Sequence, residues 1–115
     1  MFFGNSGSPS EPTVTVAELP PGARLLDVRE DAEWRAGHVV DAQHIPLGQL
    51  VERLAEVDAA GEVYVICKAG GRSAQATRFL VGQGRSALNV AGGMMAWAAA
   101  GRPMVSGSGA EPTVL

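Results

Sequence analysis

A chain of 115 residues has room for one domain and little more. With 46% hydrophobic and 18% charged residues it can bury a core, which excludes a disordered chain, and its formal charge of −3 lacks the basic excess of a nucleic-acid-binding domain. No apolar run approaches the roughly 20 residues that span a bilayer, which excludes a membrane-spanning reading.

In chain order, residues 1–12 are rich in Gly, Ser and Pro and read as a flexible lead-in. They have neither a basic start nor an extended apolar segment, so no secretory signal is read there and a cytoplasmic location is the default expectation. Short apolar runs then alternate with helix-like stretches. Strands are expected at Thr13–Val16, Leu25–Val28, Gln43–Ile45, Val63–Cys67 and Ala87–Val90. Val63-Tyr64-Val65-Ile66 is a continuous β-branched and aromatic run, as in a strand buried on both faces of a parallel sheet. A short helix is expected over Asp31–Ala36. Pro46, at a first helical position, is followed by Leu47, Leu50, Val51 and Leu54 at helical spacing. Further helices are read over Ser73–Val81 and over Met94–Ala100, the latter stopped by Gly101 and Pro103. Residues 106–115 read as a second flexible tail, leaving 13–105 as the folded domain. Strands alternating with helices predict an α/β fold, a mainly parallel sheet covered on both sides. Ligands of such folds bind beyond the carboxyl ends of the strands.

One strand-to-helix loop carries chemistry. The chain reads Cys67-Lys68-Ala69-Gly70-Gly71-Arg72-Ser73 directly after the most apolar strand. Glycines allow successive N–H groups to turn inward into an anion-binding nest, and a helix amino terminus adds unpaired donors. Lys68 and Arg72 add two cations. All of these favour a thiolate over a thiol. A free cysteine, pKa near 8.5, is about 3% ionised at pH 7; a drop of roughly two units, about 2.7 kcal/mol, makes it about three-quarters ionised. A nucleophile or sulfur carrier needs that, and a structural cysteine does not. The commonest fate of a lone cysteine is a small buried core residue, but Lys, Gly-Gly and Arg-Ser after it at a strand-to-helix turn outweigh that reading. Cys67 is the one cysteine, so no intrachain disulfide and no cysteine zinc cluster can form, and His38 and His44 are too few to hold a metal. No metal or organic cofactor is expected, and any second thiol must come from another molecule.

The loop resembles that of the rhodaneses: a cysteine, four residues, an arginine, then serine or threonine, with glycine between. Leu25-Leu26-Asp27-Val28-Arg29 is similar to that family's early strand motif, Gly37-His38-Val39 through His44-Ile45-Pro46 to its next signature, and Gly92-Gly93 with Trp97 to its closing one. The resemblance spans about residues 14–105. It implies a five-stranded parallel sheet flanked by helices and a two-step sulfur transfer. Cys67 would be the nucleophile that takes a sulfane sulfur from a small anionic donor, thiosulfate or another persulfide. Arg72 would close the loop, the amides of Lys68, Ala69, Gly70, Gly71, Arg72 and Ser73 would cradle the outer sulfur, and Lys68 would attract the donor. The acceptor would be cyanide, an external thiol or a sulfur-accepting protein.

Two rivals stand beside this reading. A related group of phosphatases has one more residue between cysteine and arginine; the four here fit a nest for a sulfur atom. A non-catalytic binding module of the same fold typically lacks the cysteine. One departure concerns the donor: Ala69 is neutral where the family's best thiosulfate users often carry a second basic residue. Asp27 and Arg29, at the end of a central strand, are candidates for supporting the site, with a structural pairing of Arg29 and Glu33 favoured over that role. His38 and His44 are read as structural. Trp34 and Trp97 are expected to pack on the sheet, and Gly92 and Gly93 to form a tight turn at the rim of the site.

Overall fold

The computed structural model describes residues 11–115; residues 1–10 of the expected flexible lead-in lie outside them. Five strands, β1 (Thr13–Val14), β2 (Leu25–Asp27), β3 (Gln43–His44), β4 (Glu62–Ile66) and β5 (Ser86–Val90), form one sheet in the order β1-β5-β4-β2-β3. Every pairing is parallel. Two α-helices lie between strands, α1 (Asp31–Ala36) after β2 and α2 (Gly71–Gly82) after β4, and a third, α3 (Gly93–Ala99), follows β5. The α/β expectation of a five-stranded parallel sheet flanked by helices is met.

The two-residue period of a strand sorts its side chains onto opposite faces. Val63 and Val65 of β4 enter one apolar cluster with Leu26, Val28, Ala76 and Leu80, while Tyr64 and Ile66 enter the other with Leu25, Val90, Met94 and Trp97. Cys67 continues the alternation of Val63 and Val65 and so emerges on the face that α2 covers. The register sets the functional edge. Asp27 pairs with Ile66 across β2 and β4, and the Val28 amide donates to the Ile66 carbonyl at 3.0 Å, so Val28 and Cys67 leave the sheet side by side, both in the α2-side cluster.

Three local expectations differ from what forms. The helix read over residues 46–54 is instead two 3-10 turns, Leu47–Gln49 and Leu54–Glu56. Leu47, Leu50, Leu54 and Val57 still reach the α2-side cluster. Apolar spacing of three and four fits either helix type, and Gly48 weakens the α form. The first strand stops at Val14 because Val16 opens a 3-10 turn, Val16–Glu18, whose Glu18 carboxylate accepts the Thr15 amide at 2.8 Å. Trp97 packs on the sheet as expected, whereas Trp34 stacks with His38 and His44, ring centroids 3.7 and 4.6 Å away.

The residues read as a carboxyl-terminal tail make backbone contacts with α1 and its exit. Just before them the His38 and Val105 amides donate to each other's carbonyls, and within them Gly107 donates to the Arg35 carbonyl and Thr113 to that of Ala36. Val114 packs against the α3-side cluster. Main-chain bonds leave no side-chain periodicity, so nothing in the sequence marks this path.

Candidate active site

At the carboxyl end of β4 the chain turns sharply. Gly70 has φ +116°, a conformation that a side chain disfavours, and this turn brings the start of α2 back over Cys67. The Cys67 sulfur accepts the Gly70 amide at 3.1 Å and the Ser73 amide at 3.3 Å, and Ser73 Oγ lies 3.2 Å away. Cys67 is 1% exposed, but its sulfur faces polar donors rather than hydrocarbon alone. Burial pushes the thiol pKa up, while the Ser73 hydroxyl and the Ser73, Gly70 and Ala69 amides push it down; the donors prevail and the net direction is lowered. The arrangement favours negative charge on sulfur.

The back of the loop is held by the next strand-to-helix turn. The Met94 and Met95 amides, in the first turn of α3, donate to the Cys67 and Lys68 carbonyls at 2.8 and 3.0 Å. Gly93 has φ +54°, and a Cβ there would collide with those same two carbonyl oxygens. Gly92-Gly93 therefore makes the close approach that lets α3 carry the loop from behind, a more specific task than the rim turn expected from sequence.

Arg72 leaves the first turn of α2 and meets Glu33 of α1. Nη1 donates to Glu33 Oε1 at 2.7 Å and Nη2 to Oε2 at 2.9 Å, a bidentate pair across 39 residues of sequence. The Arg72 hydrogen bonds hold the Glu33 carboxyl down at about 2 against the opposing effect of burial, with the Glu30 amide adding to the fall. Arg72 is raised in turn, chiefly by Glu33. This corrects the expected Arg29–Glu33 pair. Arg29 instead pairs with Asp27, Nη2 to Oδ2 at 2.7 Å, with both side chains fully buried. It reaches only the backbone carbonyl of Glu33, at 3.4 Å, and that of Gly37, at 2.8 Å. The pair braces the turn between β2 and α1 and makes no hydrogen bond to the cysteine loop among the described residues. His38 Nδ1 lies 2.6 Å from the Trp34 carbonyl and His44 Nε2 2.7 Å from that of Arg29, so both rings serve local backbone.

Two contributors have no signal in the sequence. Glu33 reads as the partner of Arg29 at helical spacing, and only the fold brings it to Arg72. Asn89 looks like one polar residue in a strand; its Oδ1 accepts the Ser73 hydroxyl at 2.6 Å inside the protein. Among the described residues no group of three His, Cys, Asp or Glu side chains could hold a metal, and no helix is long and apolar enough to cross a membrane.

The Rhodanese-like domain family model matches residues 15–100. The chain belongs to the rhodanese-like domain family. A putative sulfurtransferase, YtwF of Bacillus subtilis, is 40% identical over 79 residues, which are 69% of this chain and 77% of that protein. The thiosulfate sulfurtransferase GlpE of Pseudomonas savastanoi is 34% identical, covering 68% of this chain and 74% of its own. Among solved structures, a rhodanese-related protein of Thermoplasma volcanium superposes with a TM-score of 0.78 at 32% identity, over 82% of this chain and 97% of that one. Sulfur transfer is the activity that the Bacillus and Pseudomonas relatives are named for.

Proposed function

We propose that this rhodanese-like domain is a sulfurtransferase that moves a sulfane sulfur from thiosulfate or another persulfide donor to an external acceptor through a persulfide on Cys67. The observation that carries this reading is the Cys67 sulfur held on the Gly70 and Ser73 amides with its pKa lowered. In the first half-reaction the Cys67 thiolate attacks the outer sulfur of thiosulfate. The S–S bond breaks, sulfite leaves with the bonding pair, and Cys67 carries the sulfur as a persulfide anion. In the second, cyanide or a thiolate attacks that outer sulfur, leaves as thiocyanate or a new persulfide, and returns the Cys67 thiolate.

The chain's own residues supply electrostatics and positioning for both halves. The amides of Lys68, Ala69, Gly70, Gly71, Arg72 and Ser73 surround the site of the outer sulfur. Those of Gly71 and Arg72 lie in the first turn of α2, where no intrahelical acceptor exists. Arg72 fixes the loop from above, and Lys68 draws in the anion. With one cysteine in the chain, the acceptor is cyanide, a small thiol or a sulfur-accepting protein, a supply that suits the reduced cytoplasm.

Thiocyanate formation from thiosulfate and cyanide tests the reading. The protein forms it, Cys67→Ser does not, and neither hydrolyses an aryl phosphate. A Cys67→Ser variant with undiminished thiocyanate formation would overturn it.

A further inference from the structure

Arg72 is the loop's arginine, but its charge is already taken. Both terminal nitrogens of the guanidinium are bound by Glu33, at 2.7 and 2.9 Å, the geometry in which a carboxylate satisfies the fork most fully. Glu33 is fixed in its turn, because Oε1 also accepts the Glu30 amide at 3.0 Å. Glu30 brings a second carboxylate beside Arg72 on the wall of the same groove. Lys68 has no ion pair among the described residues, and exposed Ala69 adds no charge. Around the loop two cations thus face two carboxylates, and what is left is the charge of the thiolate itself.

A near-neutral mouth treats the two kinds of donor differently. Thiosulfate must bring two negative charges up to a thiolate and expel a doubly charged sulfite. An organic persulfide reacts as its protonated form, R–S–SH, which brings no charge at the reacting sulfur: the Cys67 thiolate attacks its outer sulfur, the S–S bond breaks, R–S⁻ leaves with the bonding pair, and the proton stays on the transferred sulfur. The groove beside Arg72, about 510 Å³ and lined by Leu47, Val51 and Phe79 as well as Glu30 and Gln75, offers an apolar wall to an organic leaving group. Sulfite has no use for one.

Resting on the sulfur-carrier reading of Cys67, the geometry points to Glu33 as a specificity-determining residue: by cancelling Arg72 at the mouth it biases the loading of Cys67 toward organic persulfides and away from thiosulfate.

The test is the rate of Cys67 loading, read as an added ~32 Da on the quenched intact protein, with glutathione persulfide and thiosulfate as probes. The protein is expected to load at least about tenfold faster from glutathione persulfide. Glu33→Gln keeps an oxygen for Arg72 but removes the charge, and is expected to raise the ratio of thiosulfate to persulfide loading by about tenfold. Glu33→Asp should hold the ratio of the parent. Ala69→Lys, an exposed change that leaves Glu33 intact, should raise the ratio in the same direction and carries the charge test if Glu33→Gln does not fold. Equal falls in both rates for Glu33→Gln, with Ala69→Lys also leaving the ratio unmoved, would make Glu33 a brace only and overturn the proposal; so would a parent protein that prefers thiosulfate. Loading from neither probe would overturn the sulfur-carrier reading itself, a result separable from a failed ratio.

Discussion

Ser73 Oγ donates to Asn89 Oδ1 at 2.6 Å while the Cys67 sulfur lies 3.2 Å from the same hydroxyl. A hydroxyl has one proton. It can serve the asparagine, the Gly70 carbonyl 3.2 Å away or a sulfur anion, and a charged sulfur draws it more strongly than either neutral oxygen. Asn89 thereby sets where the Ser73 proton rests when Cys67 is a thiol, and it can turn its NH₂ toward Ser73 when the proton swings to a thiolate. The alkylation rate of Cys67 against pH reads this directly. Its midpoint should lie below that of an ordinary thiol, because the folded site lowers the pKa. Ser73→Ala, which keeps the amide but loses the hydroxyl, should move the midpoint upward. An unmoved midpoint would remove Ser73 Oγ from the account.

The Asp27–Arg29 pair has no exposed surface on either side chain. Asp27 also accepts the Arg29 amide, at 3.1 Å, so the carboxylate is saturated by one residue. Arg29→Leu leaves a buried, unpaired charge, and the expected loss of stability is about 3–5 kcal/mol. Removing both charges, Asp27→Leu with Arg29→Leu, should cost less than the single change. Thermal or urea unfolding measures this. If Arg29→Leu unfolds like the parent, the brace is not structural.

Gly93→Ala places a methyl group against the Cys67 and Lys68 carbonyls at a φ of +54°. Backbone cannot yield as a flexible side chain does. The variant should lose both stability, by roughly 2 kcal/mol or more, and sulfur transfer, through displacement of the loop. The exposed Gly82 at the end of α2, with open space around its Cβ position, is the control, and Gly82→Ala should leave transfer within about twofold. Equal activity in the two variants would disconnect α3 from the loop.

Glu33 has its carboxyl at about 2, against 4.5 for a free group. A lowered acid pKa stabilises the fold in full above pH 4.5, and the contribution is lost as pH falls from 4.5 through about 2. Glu33→Gln should therefore flatten the acid limb of a stability profile in that window and leave its neutral limb with the same slope. Because the Arg72 side chain is 34% exposed, solvent screens the pair and the effect on stability is modest. Arg72→Ala should be felt more in transfer than in folding, lowering the rate about tenfold or more. A larger effect on unfolding than on transfer would make the pair a structural tie alone.

Much of this was readable in the order of residues. Strand and helix alternation gave a parallel sheet, and the period of Val63, Val65 and Cys67 places the sulfur on the α2 face. Cys67 through Ser73 is contiguous, so its chemistry is local and shows in one line of sequence. Glu33 and Asn89 were not legible, because their partners lie 39 and 16 residues away and only the sheet register joins them. Residues 46–54 have an apolar spacing that two kinds of helix share. The path of residues 106–115 rests on backbone hydrogen bonds to α1, which no side chain announces.

The claim beneath all of these is that Cys67 holds a transferable sulfur. Peptide-resolved mass spectrometry, after exposure to thiosulfate or glutathione persulfide and then to cyanide, tests it most directly. The account predicts an added ~32 Da on the peptide containing Cys67, removed by cyanide with release of thiocyanate. A protein that keeps its bare mass with both donors would contradict it.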